Sequence, residues 1–271
     1  MRAQFVKTMA ALMAKDKRIV LLLGDIGVHG FRDVFKTYPD RCYNIGICEQ
    51  ATVSLAAGLA KSGMIPVFHT IAPFMVERAF EQLKIDFGYQ GLGGNFVSVG
   101  ASYDYAALGC THHCPGDVAL LKTIPNMDIF VPGTAAEFNS LFRKTYSYGF
   151  NYFRLSESVN STSIKVIAGK PKFVQQGNFG TVVAIGPMLD RVMQAVRDID
   201  VSVLYVTTAA PVIVPPITGF ILLVEPFYSY TLMQDFRYGD VVSIGVPHEF
   251  LTHYGTVAEH DATIGLTAEN I

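Results

Sequence analysis

Glu49 opens an apolar, small-residue run, ATVSLAAGLA, just after the strand-like YNIGI breaks at Gly46. A carboxylate in that place has two readings. Negative charge is favoured at a helix N-terminus. A carboxyl buried at the mouth of an apolar helix can also share a proton with a bound group. A second set, Asp25 and His29, follows the apolar run IVLLL, and His69 and Thr70 close MIPVFHT. In a parallel sheet these residues fall on one edge, at the carboxyl ends of the strands, where such sheets bind ligands. A third set is CTHHC, Cys110 to Cys114. Neighbouring residues rarely all point at one ion, and no second Cys/His pair follows, so we assign it no metal. There is no Walker A loop, no GxGxxG and no GxSxG, which leaves phosphate-loop and serine-hydrolase chemistry without support.

The elements that must position these residues alternate. RIVLLLGD, MIPVFHT, NFVSVGA, MDIFVP and NYFRLS are apolar strands. Between them the spacing predicts helices over residues 3–15, over PFMVERAFEQLKIDFGY (73–89), over DVALLKTI and over TAAEFNSLFRKTYSYG, the last with a Thr cap and a terminal Gly. Apolar strands alternating with helices imply an α/β fold with parallel sheets covered on both faces. Residues 157–178 are polar and weakly periodic and read as a linker with a short strand or two. The alternation then restarts in GTVVAIG, PMLDRVMQAVRDI, VSVLYVTT, GFILLVEP and DVVSIGVP. The chain is thus expected to hold two doubly wound α/β domains, a larger one over 1–156 and a smaller one over 179–271.

Composition bounds the function. The 271 residues are 50% hydrophobic and only 16% charged, with a net charge of −2. No basic stripe points to nucleic acid or a membrane surface. No apolar run reaches a membrane span. The start, MRAQFVKTMAALMAKDKR, reads as an amphipathic helix rather than a signal peptide. The expectation is a cytoplasmic protein with reduced cysteines that buries surface against other subunits.

Four segments resemble the transketolase family. NIGICEQ is similar to the motif of its pyrimidine-binding domain. TIAPFMVERAFEQLK resembles the next family segment, GCTHHCPGDVALLKTIPNMDIFVPG the one after it, and IGVPHEF…YG…IGLTAENI the close of the C-terminal domain. They cover nearly the whole chain in family order. The resemblance implies a pyrimidine-binding domain over 1–156 and a transketolase C-terminal-like domain over 179–271. It also implies thiamine diphosphate as cofactor. Glu49 would bond N1′ of its aminopyrimidine, Phe74 would stack on that ring, Ile47 would pack beside it and Asp25 would lie near it. His112 would reach the substrate. The family's diphosphate domain carries Gly-Asp-Gly, which is missing here. The resemblance therefore implies a split enzyme: a separate N-terminal subunit holds the diphosphate and Mg²⁺, and the assembly is α2β2.

Other positions depart from the family. Its phosphate-clamping Ser, His and Arg align with His29, about Gly100, and Glu157, and a carboxylate at Glu157 repels phosphate. The family Asp that holds a sugar hydroxyl aligns with Leu108. Arg154 matches a structural family Arg. The expected activity is transfer of a two-carbon ketol unit from a ketose to an aldehyde, with a substrate lacking the usual phosphate. Leu108 keeps an alternative open: pyruvate or another 2-oxo acid as donor, as in decarboxylating β-subunits or deoxyxylulose-phosphate synthases. In the C-terminal part, the aromatics of FYSYTLMQDFRYG are expected at a subunit contact.

Overall fold

The computed structural model describes residues 1–217, 219–236 and 239–271. In chain order its elements are α1 (Arg2–Met13), β1 (Ile19–Leu23), α2 (Val28–Thr37), β2 (Cys42–Asn44), α3 (Glu49–Lys61), β3 (Ile65–Ile71), α4 (Ala72–Val76) and α5 (Phe80–Gln82). A π-helix, Leu83–Tyr89, leads to β4 (Gly94–Val99), α6 (Asp117–Leu121), β5 (Met127–Phe130), α7 (Ala135–Thr145) and β6 (Phe150–Arg154). Then come β7 (Lys172–Gln175), β8 (Thr181–Ile185), α8 (Leu189–Ala195), β9 (Ser202–Val206), β10 (Thr208–Ala210), β11 (Phe220–Tyr228), β12 (Asp240–Val246) and α9 (Val257–Ile264).

Two sheets result. The larger runs β10-β5-β6-β4-β3-β1-β2 and the smaller β12-β11-β8-β9-β7. All pairings are parallel except β10 with β5 and β7 with β9. Strand alternation splits the larger sheet's side chains between two layers. Leu22, Phe68, Phe96 and Tyr152 lie in register and feed one buried cluster. Leu21, Val67, Val97 and Phe153 feed the other. Both clusters continue into the smaller sheet, so Val183 and Leu223 share a core with Phe68, and Val203 and Val224 share one with Val67. The short β10 follows β9 of the smaller sheet yet pairs with β5 of the larger one. No helix among the described residues is long and apolar enough to cross a membrane.

Local chemistry explains most boundaries. Thr134 caps α7, accepting from the Glu137 amide while Glu137 accepts from the Thr134 amide. Gly149 closes the following turn at φ +79°. Two expectations fail. The single helix over 73–89 is instead α4, a turn at 77–79, α5 and the π-helix. The amides of Glu77 and Arg78 both bond the Pro73 carbonyl, and Ala79 leaves helical geometry at φ −110°, ψ 21°. Helical spacing alone cannot register a break made by backbone bonds. The second failure concerns the two phenylalanines of FYSYTLMQDFRYG. Phe227 and Phe236 are core residues with 0% and 1% exposure, not contact-surface ones. Tyr230 is exposed, and Tyr238 lies outside the described residues.

Candidate active site

The carboxyl edge of the larger sheet gathers the site. Gly46, at φ +82°, turns the chain from β2 into α3. Glu49 then begins that helix with 1% exposure. Its Oε2 accepts from Arg78 Nη1 at 2.8 Å. Its Oε1 is buried and has no hydrogen-bond partner, which is costly for a carboxylate oxygen unless a ligand supplies one. Arg78 comes from the turn that breaks the 73–89 segment, and its guanidinium lies over the Phe74 ring, 4.1 Å from the centroid. The Phe74 ring meets His112 edge-on, with centroids 5.3 Å apart. His112 Nδ1 is 3.0 Å from Thr111 Oγ1, and the Tyr105 ring stands 6.4 Å away. Glu49, Phe74 and His112, from three separate segments, are thus joined in one chain of contacts through Arg78.

Arg78 was missed at the sequence level, although its spacing four residues after Phe74 was visible. Nothing in the local pattern says that this arginine turns inward to Glu49, because the ion pair spans 29 positions.

The remaining candidates sit differently. Ile47 is 68% exposed and Leu108 51% exposed. Asp25 is exposed at φ +57°, held there by a two-way bond with Asn44: its amide donates to Asn44 Oδ1, and Asn44 Nδ2 donates to Asp25 Oδ1, both at 3.0 Å. His29 is exposed on the first turn of α2 and lines a cleft with Arg2 and Gly27. Glu157 is exposed. At Gly100 a Cβ would stand 2.5 Å from the Tyr105 ring, so Tyr105 occupies the space a side chain there would need. His69 lies behind the His29 cleft, its ring against Gly27 and its Nε2 buried without a partner. It is fully buried beside Phe5, donating Nδ1 to the Val97 carbonyl, and burial pushes its pKa down to about 4.

Beneath the site, Arg154 is 1% exposed and its Nε meets Asp117 Oδ2 at 2.7 Å. The same guanidinium donates to Ser102 Oγ and the Pro226 carbonyl. Tyr152 also donates to Asp117. Arg154 is therefore spent on fixing the loop after β4 against the C-terminal end of β11. The CTHHC thiols diverge: Cys110 is exposed, while Cys114 is buried 3.5 Å from Glu77 Oε1. Among the described residues no group of three or more His, Cys, Asp or Glu could hold a metal ion.

Residues 1–160 match the family described as transketolase, pyrimidine binding domain. The chain belongs to that family. It is 36% identical, over 98% of its length and 91% of the relative's, to an uncharacterized 33.6 kDa protein in the fasciation locus of Rhodococcoides fascians. It is 30% identical, over 100% of its length and 94% of the relative's, to one of the subunits of the apulose-4-phosphate transketolase of Phocaeicola vulgatus. A structure described as a split gene transketolase, inactive beta4 tetramer, superimposes with a TM-score of 0.86 at 26% identity, covering 99% of this chain and 94% of that one. The transketolase of Leishmania mexicana shares the fold at a TM-score of 0.81, with this chain spanning 44% of it. The protein is the C-terminal subunit of a split transketolase-like transferase, and its two sheets are the pyrimidine-domain and C-terminal-domain folds of that family. Thiamine diphosphate dependence comes with the family. The orphan Glu49 Oε1 fits that cofactor, because a buried carboxyl oxygen without a partner suits an aminopyrimidine ring nitrogen.

Proposed function

We propose that this chain, paired with an N-terminal diphosphate-binding subunit in an α2β2 assembly, transfers a two-carbon ketol unit from a ketose donor to an aldehyde acceptor. The observation that carries this is the split environment of Glu49, with one oxygen fixed by Arg78 and the other buried and unpaired. In this reading residues 1–156 bind the pyrimidine, 157–178 link and 179–271 form the C-terminal domain. Bound thiamine diphosphate supplies the carbon nucleophile that carries the two-carbon unit. Everything else is done by side chains. Glu49 Oε1 holds the proton shared with N1′ of the pyrimidine. Arg78 fixes the carboxyl orientation and, lying on Phe74, sets the plane against which the pyrimidine stacks. Apolar Ile47 flanks the ring, and Asp25, braced by Asn44, lies at the rim. His112, oriented by Thr111, donates to a substrate oxygen. His29 and Leu108 border the far end of the substrate, which carries no phosphate in the usual clamp because Glu157 and Gly100 stand in it. Mg²⁺ and the diphosphate belong to the partner.

The test is reconstitution with the partner subunit and product analysis. Ketol transfer from a ketose to an aldehyde, lost in Glu49→Gln, supports the reading. Release of CO₂ from pyruvate with no ketose turnover overturns it in favour of a 2-oxo acid donor. The 1-deoxy-D-xylulose-5-phosphate synthase of Listeria monocytogenes, 26% identical over 96% of this chain and 47% of its own length, makes that the outcome to check.

A further inference from the structure

Immediately behind His112 lies a cluster that the reaction does not use. His113, on the loop after β4, meets His260 of α9 edge-on with ring centroids 5.4 Å apart. His253, from the segment before α9, lies over His260 at 4.2 Å. Tyr103 packs 5.2 Å from His260 and 6.5 Å from His113. His113 is 7% exposed and His260 0%. Neither nitrogen of either ring has a hydrogen-bond partner. Four buried, unpaired ring nitrogens are tolerable only while both rings are neutral, since each proton added there is a desolvated charge.

This cluster joins the two halves of the chain at the site. Tyr103 forms a small apolar group with Val246 and Leu251, apart from the main cores. Tyr254 lies against the backbone of Gly109, where a Cβ would stand 2.7 Å from its ring. A cavity of about 90 Å³ beside His113 is lined by Tyr103, Cys110 and Leu251, and by the carboxylates of Glu77 and Glu249. The segment 247–260 therefore seats the loop that carries His112.

We propose that His113 and His260 are positioning residues that dock the C-terminal segment on the His112 loop only while these two buried rings are unprotonated, so that acid releases the loop and withdraws His112 from the site.

The charges around the cluster agree. Burial, then the charges of His260, His112 and His253, hold His113 down to about 4. Burial and His253 lower His260, outweighing Asp261 and Glu259, which act the other way. Asp261 is itself occupied by the Tyr103 hydroxyl and by Arg191. A folded-state pKa below the ordinary 6.5 means that docking is fully favourable above about pH 6.5 and is lost as pH falls toward about 4. At about pH 5.5, His113 alone weakens docking about tenfold.

The proposal takes the role of His112 from the function above, but docking can be measured without it. Amide hydrogen exchange of the full chain, corrected for intrinsic rates, is read at about pH 7.5 and about pH 5.5 for residues 106–116. The expected result is about a tenfold loss of protection in that loop on acidification, with β3 and β4 unchanged. In the double variant His113→Phe/His260→Phe the ring packing remains and the acid response is lost; His113→Phe alone, which should shrink it, serves if the double variant fails to fold. Equal loss in wild type and variant, or no loss in wild type, overturns the proposal. In the reconstituted enzyme, His112→Asn separates the two ideas. Unchanged activity there overturns the role of His112, while the exchange response still decides the docking.

Discussion

The two ends of the site are built to different standards. At the cofactor end, Glu49, Arg78, Phe74 and His112 touch in sequence, and the carboxylate they serve is buried. At the proposed substrate end, His29, Leu108 and Glu157 are exposed, with no side-chain contact joining them to one another, and Tyr105 fills the space beside Gly100. Rigid support is concentrated where one fixed geometry must recur in every turnover. Exposed, unsupported side chains are what remains where specificity is set by whatever the site closes against. On the proposed function, this chain carries the cofactor's chemistry and shares the choice of substrate with its partner.

Substitutions can break that contrast or sharpen it. Glu49→Gln should have the largest effect. It keeps the shape but removes the shared proton, and about a thousandfold loss of kcat in the reconstituted enzyme is expected, as for loss of a positioned acid–base group. A loss under tenfold would put both ends of the site on the same footing. Arg154→Leu strands Asp117 in the core beneath the site. It should cost about 3–5 kcal/mol, read as a shift in urea unfolding; a shift under about 1 kcal/mol would mean that the pair is not the foundation described above. Phe74→Ala should weaken thiamine diphosphate binding about tenfold through lost aromatic packing, measured by calorimetry on the assembled enzyme. His29→Ala, at an exposed position, should leave kcat within about threefold and alter KM only. A collapse of kcat there would show that the substrate end is as tightly built as the other.

Much of this was legible in the sequence, for reasons that differ by residue. The strand runs such as IVLLL are apolar because both faces of a parallel sheet are covered, so composition reports them directly. Thr134 and Glu137 are a local capping pair and were readable as a helix start. Thr256 and Glu259 are the same pair before α9, an equally local signal that the family likeness of IGLTAENI overshadowed. Glu49 was legible through its contrast with the apolar helix that follows. Arg78, β10 and the His113–His253–His260 cluster were not legible. Each depends on partners far away in the chain: Glu49 for Arg78, β5 for β10, and α9 for His113. Periodicity reports which face of an element is buried, not which distant element covers it.

On the proposed function, Glu49 Oε1 governs proton traffic at the bound cofactor. The most direct measurement is the rate at which the thiazolium C2 hydrogen of thiamine diphosphate exchanges with deuterated water in the assembled enzyme, without substrate. It is read by quenched-flow NMR for wild type and Glu49→Gln. The account predicts fast exchange in wild type and at least about a hundredfold slowing in the variant. Equal rates in the two would contradict it and leave Glu49 a helix-terminal carboxylate paired with Arg78.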